Sequence, residues 1–227
     1  MSDLLVIVPT RGRPQNAYDF YVSWSALTED ADLCFVVDED DPLLGTYQYR
    51  MPMMPKTSLM VVPPKLRLCG ALNYAANEVG YKYKYLGFMG DDHRCRTIGW
   101  DQIIRHEVGD RKLAIIYGND MLQGEKMPTA VIMTSNVVST LGYMAPPSLE
   151  HLCLDLVWLD WSNALDCRIY LDHVVFEHMH PANGKAITDA GYQLANSPAQ
   201  VKRDADAYYE YKDGDFKTDI EKLKPLV

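Results

Sequence analysis

Apolar residues in the first half of the chain come in short unbroken runs, beginning with Leu4-Leu5-Val6-Ile7-Val8 and continuing at 33–37, 58–62, 85–89 and 113–117. A run rich in β-branched residues with no polar alternation predicts a strand covered on both faces, as in a parallel sheet, because alternation arises where one face meets water. Between these runs, residues 14–27, 68–79 and 98–108 carry apolar positions at helical spacing, which predicts helices packed against the sheet. Strand and helix therefore alternate. That order predicts an α/β fold with a mostly parallel central sheet flanked by helices, whose ligands gather outside the carboxyl ends of the strands.

After residue 128 the pattern changes, to an apolar segment at 130–133, a helix over 153–164, two short strands near 168–171 and 174–177, and helical patterning at 201–211 and 216–223. No linker-like stretch, repeat or low-complexity tract divides the sequence, and 227 residues suffice for one sizeable core. The expected organisation is one domain over 1–227, with a ligand-binding half (1–125), an acceptor-side half or lid (126–190) and a C-terminal helical tail (191–227).

Four of the strands run into polar segments at their carboxyl ends: Thr10-Arg11-Gly12-Arg13, Asp38-Glu39-Asp40-Asp41, Gly90-Asp91-Asp92-His93 and Gly118-Asn119-Asp120. In an open α/β sheet these four segments converge on one edge. The net charge of −9 argues against a protein that holds nucleic acid by neutralising phosphates, though not against one that visits it as substrate. Five widely spaced cysteines, without a Cys-x-x-Cys pair, read as reduced buried thiols. No apolar run approaches the ~20 residues that span a bilayer. The N-terminus enters a strand with no basic segment leading an apolar one, so the expectation is a cytoplasmic protein.

Asp91 and Asp92 come directly after an apolar strand, and adjacent carboxylates repel unless a cation lies between them. Mn²⁺ or Mg²⁺ meets that need, while an isolated Asp-Asp also reads as a solvated turn. His178 and His180 fall on one face if their strand continues, and either offers an imidazole nitrogen. Thr10, Arg11, Arg13, Lys65, Arg67 and Asn73 form a basic and amidic set suited to a diphosphate. Asp38, after the second strand, stands where α/β folds read a base or ribose.

In this order, Val6-Ile7-Val8-Pro9-Thr10-Arg11-Gly12-Arg13-Pro14, Val36-Val37-Asp38, Gly70-Ala71-Leu72-Asn73 and Phe88-Met89-Gly90-Asp91-Asp92 resemble the GT-A glycosyltransferases of the family 2 type. The later Gly99-Trp100-Asp101, Tyr117-Gly118-Asn119-Asp120 and Glu177-His178-Met179-His180-Pro181 resemble small phage and bacterial members. The resemblance covers residues 4–190. It implies a Rossmann-like nucleotide-diphospho-sugar transferase fold and a nucleotide-diphosphate-sugar donor, a UDP- or GDP-sugar. Pro9, Thr10, Arg11, Asp38 and Asn73 would line the nucleotide, with Asp92 as first metal ligand, Asp91 as second and His180 or His178 as third. The family's Asp-x-Asp would put an acid where Gly90 stands, so this chain departs from the pattern there, and one acid of the pair, Asp91 first, is also a candidate to bind the sugar or ribose of the donor.

The family pattern also implies a catalytic base near the start of a helix in the second half. Asp155 is the first candidate and Asp160 the second, and the helical period puts them on different faces. Trp158 and Trp161 offer stacking surfaces for a sugar or serve the core. The implied reaction is an inverting transfer to an acceptor hydroxyl, hexosyltransferase-like, on a modified DNA base, a virion protein or a surface glycan. Two rivals stand beside it. A nucleotidyltransferase carries a glycine-rich, lysine-bearing loop after its first strand, which Thr10-Arg11-Gly12-Arg13-Pro14 does not match; the other is a catalytically silent nucleotide- or glycan-binding module.

Overall fold

The computed structural model describes residues 2–227. The apolar runs form β1 (Leu4–Pro9), β2 (Asp32–Asp38), β3 (Thr57–Val62), β4 (Tyr85–Phe88) and β6 (Ile115–Asn119), with a short β5 (His93–Cys95) between the last two. Helices α1 (Pro14–Leu27), α2 (Leu44–Arg50), α3 (Arg67–Val79) and α4 (Trp100–Val108) connect them. Then come β7 (Val131–Thr134), α5 (Asn136–Leu141), α6 (Leu154–Ala164), β8 (Arg168–His178), α7 (Ala190–Ala195), α8 (Pro198–Asp213) and α9 (Asp215–Leu223).

The strands build one sheet in the order β3-β2-β1-β4-β7-β6-β8-β5. Pairings among β3, β2, β1 and β4, and between β6 and β8, are parallel, whereas β7 runs antiparallel to β4 and β6 and β5 runs antiparallel to β8. The sheet is thus mixed where a mostly parallel one was expected. Burial on both faces, and not strand direction, removes polar alternation from a run, so the fully buried Val131-Ile132-Met133-Thr134 carries no signal of its reversal.

Core residues alternate between two layers. Leu5 and Ile7 pack with α3, α5, α6 and α9 on one face, while Leu4, Val6 and Val8 pack with α1 and α4 on the other. Trp158 and Trp161 are fully buried, with their indole N–H groups donating to Met144 O at 2.6 Å and Tyr211 Oη at 2.7 Å. Both belong to the core. The Gly99-Trp100-Asp101 motif is structural as well: Asp101, wholly buried, accepts from the backbone N–H of Glu29 and Asp30 and from Arg105.

The two short strands expected at 168–171 and 174–177 are one strand whose register against β6 jumps, Gly118 facing Leu171 and Asn119 facing Val175. Gly118 permits this bulge, since a Cβ there would collide with the Val174 carbonyl oxygen and lie 3.1 Å from the Phe176 ring. Gly118→Ala is expected to cost about 2 kcal/mol through overpacking, a fall in Tm of about 4–8 °C by differential scanning fluorimetry.

The C-terminal helices dock on the second half through buried acids. Asp204 of α8 accepts from the backbone N–H groups of Glu150, His151 and Leu152 and from Gln200, and Asp219 of α9 accepts from Tyr143 and Tyr211. These bonds fix the loop that leads into α6.

Candidate active site

A cleft of about 1280 Å³ opens outside the carboxyl ends of β1, β2 and β4. Its walls include Pro9, Thr10, Arg11, Arg13, Asp38, Lys65 and Arg67 on one side, Asp91, Asp92, His93, His178 and His180 at the centre, and the 150–156 segment on the other. The volume exceeds the ~300–1,000 Å³ of ordinary small-molecule pockets, so it has room for a bipartite ligand.

On the first side, Arg11 bridges Asp38 (2.9 Å) and Asp40 (2.6 Å). The other oxygen of Asp38 is buried without a partner, and burial pushes this carboxyl up against the opposing pull of Arg11. An unpaired buried acceptor is costly, and an N–H or hydroxyl donor from a ligand would satisfy it. Lys65 and Arg67 both hold positive φ, +69° and +58°, conformations that L-residues with side chains adopt at a cost and that cluster at ligand sites. Asn73, expected in the donor set, is bonded elsewhere in this structure. Its amide donates to Ala145 O (2.7 Å) and accepts from Met144 N (2.9 Å) and Ala145 N (3.0 Å), which ties α3 to the loop after α5 and leaves it outside the cleft lining.

The two adjacent acids divide their partners. Asp91, 5% exposed, accepts from Thr10 Oγ1 at 2.6 Å and faces Arg13 at 3.5 Å. Burial and the neighbouring charge of Asp92 push its pKa up. Asp92 faces His93 Nδ1 and His178 Nε2, each at 3.5 Å. Burial opposes its ionisation, but the two histidines outweigh that and hold it well below the usual carboxylate range. At Gly90, where Asp-x-Asp would have an acid, a Cβ would lie 2.5 Å from Asp92 Oδ1 and 3.1 Å from His93 Nδ1, so a side chain there would displace the Asp92 carboxylate from its present place.

Asp92, His93 and His178 bring ligand atoms within 4.8 Å of one another. The antiparallel register of β5 and β8 sets His93 directly opposite His178, with rings stacked at 4.3 Å. Behind them Asp120 accepts from three backbone N–H groups, of Leu122, Gln123 and Gly124, and from Thr129. His178 Nδ1, buried and without a hydrogen-bond partner, lies 3.8 Å from Asp120 Oδ2. Burial lowers the His178 pKa, but Asp120 and Asp92 together raise it to about 9. An imidazole with one nitrogen toward the group and a carboxylate behind the other matches how metal-bound histidines are oriented. The mixed oxygen and imidazole donor set fits a divalent cation, Mn²⁺ better than the oxygen-seeking Mg²⁺.

His180, an expected ligand, lines the same cleft but lies outside this three-residue group. The strand ends at His178, and His180, its ring 4.9 Å from that of His178, caps the Pro181–Asn183 turn through Nδ1, which accepts from Ala182 N at 3.0 Å. The expected same-face alternation required the strand to continue. Asp91 likewise turns toward Thr10 and Arg13, outside the three-residue group.

On the far side Asp155 sits in the first turn of α6 and lines the cleft, its Oδ1 accepting from Leu156 N at 2.9 Å. Burial pushes its pKa up. The preceding Cys153 caps this helix at φ +66°. Asp160 points elsewhere, to Tyr208 (2.6 Å) and Lys212 (2.9 Å) of α8, and does not line the cleft.

Sequence reading placed His93 beside the acidic pair without making it a ligand, its three-residue strand being too short to show, and missed Asp189, just before the tail, and Tyr192 within it. Asp189 grips Arg13, and the Tyr192 hydroxyl donates to Asp92. The one available signal for His93 was its adjacency to the acidic pair.

No protein-family model matches the sequence, and no curated protein matches it. Solved structures share its fold. A mannosyltransferase from Pyrobaculum calidifontis, in complex with GDP-Man and Mn²⁺, aligns with TM-score 0.63 at 14% identity over 93% of this chain and 75% of its own. TarS 1-349 of S. aureus, in complex with UDP, aligns with TM-score 0.60 at 10% identity over 78% of this chain. The chain spans 59% of that fragment and 44% of a longer TarS structure. At these identities the likeness is one of fold: an α/β framework shared with a mannosyltransferase and with a UDP-bound protein.

Proposed function

We propose that this chain is a metal-dependent, inverting glycosyltransferase of the GT-A, family 2 type, which moves a hexosyl group from a UDP- or GDP-sugar to an acceptor hydroxyl. The observation that carries the reading is the gathering, in one cleft, of the Arg11–Asp38 pair, the cations of Arg13, Lys65 and Arg67, the Asp92–His93–His178 group and Asp155. The solved relatives bound to UDP, and to GDP-Man with Mn²⁺, support the donor class and the ion.

Asp38 receives an N–H or hydroxyl of the nucleoside, and the cations neutralise the diphosphate. Asp92, His93 and His178 would hold Mn²⁺ or Mg²⁺, and the ion would supply Lewis-acid stabilisation of the negative charge on the diphosphate. Asp155 takes the proton of the acceptor hydroxyl as its oxygen forms a bond to the anomeric carbon. The bond from that carbon to the diphosphate oxygen breaks on the opposite face, and the electron pair leaves with the diphosphate. A modified, hydroxyl-bearing DNA base, a virion protein or a surface glycan each offers such a hydroxyl.

A panel of nucleotide-sugars tested by thermal shift identifies the donor. At a hundredfold excess over Kd the true donor adds about 2.7 kcal/mol of stability, a rise in Tm of about 5–10 °C that depends on Mn²⁺. No shift with any UDP- or GDP-sugar would defeat the proposal. Release of nucleoside diphosphate separates a transferase from a silent binding module, which releases none.

A further inference from the structure

Arg13 lies beside the acidic pair, 3.5 Å from Asp91, yet its guanidinium is already occupied by the start of the tail. Asp189 forks it, accepting from Nε at 2.8 Å and from Nη2 at 2.5 Å. This is the two-point geometry with which arginine holds a carboxylate or a phosphate. The Tyr192 ring lies against the same guanidinium, 4.4 Å from ring centroid to Cζ. Its hydroxyl donates to Asp92 Oδ2, the oxygen that faces His178 Nε2 at 3.5 Å. Between them Gly191 lets the α7 backbone press onto Arg13, since a Cβ there would lie 2.8 Å from Nη2. The His180 ring supports Tyr192 edge-on at 5.2 Å.

We infer that residues 189–192 form an autoinhibitory latch, in which the Asp189 carboxylate stands in for a donor phosphate on Arg13 and the Tyr192 hydroxyl occupies the Asp92 oxygen a divalent cation would take. The inference rests on the donor and metal reading above. A cation between Asp92 and His178 must meet Oδ2, and there it competes with the Tyr192 proton. A diphosphate that reaches Arg13 competes with Asp189 for the same two N–H groups. Latch closure therefore opposes ligand binding at these atoms, and the apparent affinity for either ligand falls with the fraction of chains that are open.

The latch and an ordinary binding role for these residues differ in sign. Tyr192→Phe keeps the ring on Arg13 and removes only the hydroxyl, so it should bind Mn²⁺ alone about tenfold more tightly than the parent chain by isothermal titration, the loss of one charge-assisted hydrogen bond. Asp189→Asn should tighten inorganic pyrophosphate, and Gly191→Ala, which lifts α7 off Arg13, should tighten both ligands. Circular dichroism and Tm confirm that each variant is folded. If Mn²⁺ binding depends on Asp92 and Tyr192→Phe leaves it unchanged or weaker, the latch is overturned while the metal site stands. If neither protein binds Mn²⁺ in an Asp92-dependent way, the metal reading fails and the latch falls with it.

Discussion

Asp92→Ala is expected to abolish Mn²⁺-dependent donor binding and to lower transfer by on the order of 10³-fold or more, because it removes the only carboxylate of the three-residue group and the partner of two imidazoles. Asp92→Asn keeps the shape of the side chain and so separates this effect from a packing defect, which circular dichroism and Tm would reveal in the alanine variant. The neighbouring histidines sharpen the test. His178→Ala should weaken Mn²⁺ by at least about 10–100-fold, whereas His180→Ala should not weaken it, since His180 is turned into a cap of the Pro181–Asn183 turn. Full activity of the parent chain in EDTA, or equal losses for the two histidine variants, would contradict this assignment.

Asp155→Asn should reduce turnover by about 10²–10⁴-fold, the usual span for removing a general base, while leaving Mn²⁺ and donor affinity intact. Its acid form cannot accept a proton, so the rate rises with pH as Asp155 ionises. Burial raises the pKa of this carboxyl, which moves that rising limb above the ~4 of an ordinary aspartate. The asparagine variant should lose the limb along with the rate. Asp160→Asn is the control: it removes contacts to Tyr208 and Lys212 and is expected to lower stability by about 1 kcal/mol with turnover unchanged. Wild-type turnover in Asp155→Asn would transfer the role to another acid.

These predictions draw unequally on sequence and on structure. The helix from Pro14 to Leu27 and the strands after Leu4, Asp32 and Thr57 were legible because local apolar runs and helical spacing report burial directly. The polar strand ends were legible for the same reason, and Asp38, Arg11 and Asp92 do meet in one cleft. The different faces of Asp155 and Asp160 came from the helical period alone. Asn73 was not legible in this way. Its amide serves a loop some seventy residues on, and no spacing within α3 reveals a partner so distant.

By itself, then, the sequence determined the longer strands and helices, though not the short α2, β5, α5 and α7, and that acids, cations and histidines stand at strand ends, because these depend on chemistry within a few residues. Only the tertiary structure decided strand direction, since burial does not encode it. The pairing of β5 with β8 decided that His93, not His180, joins Asp92 and His178, because register is a contact between segments eighty residues apart. Asp-Asp-His could be read along the chain. That Tyr192 would reach back a hundred residues to Asp92 could not, because docking of the tail depends on the whole surface presented to it.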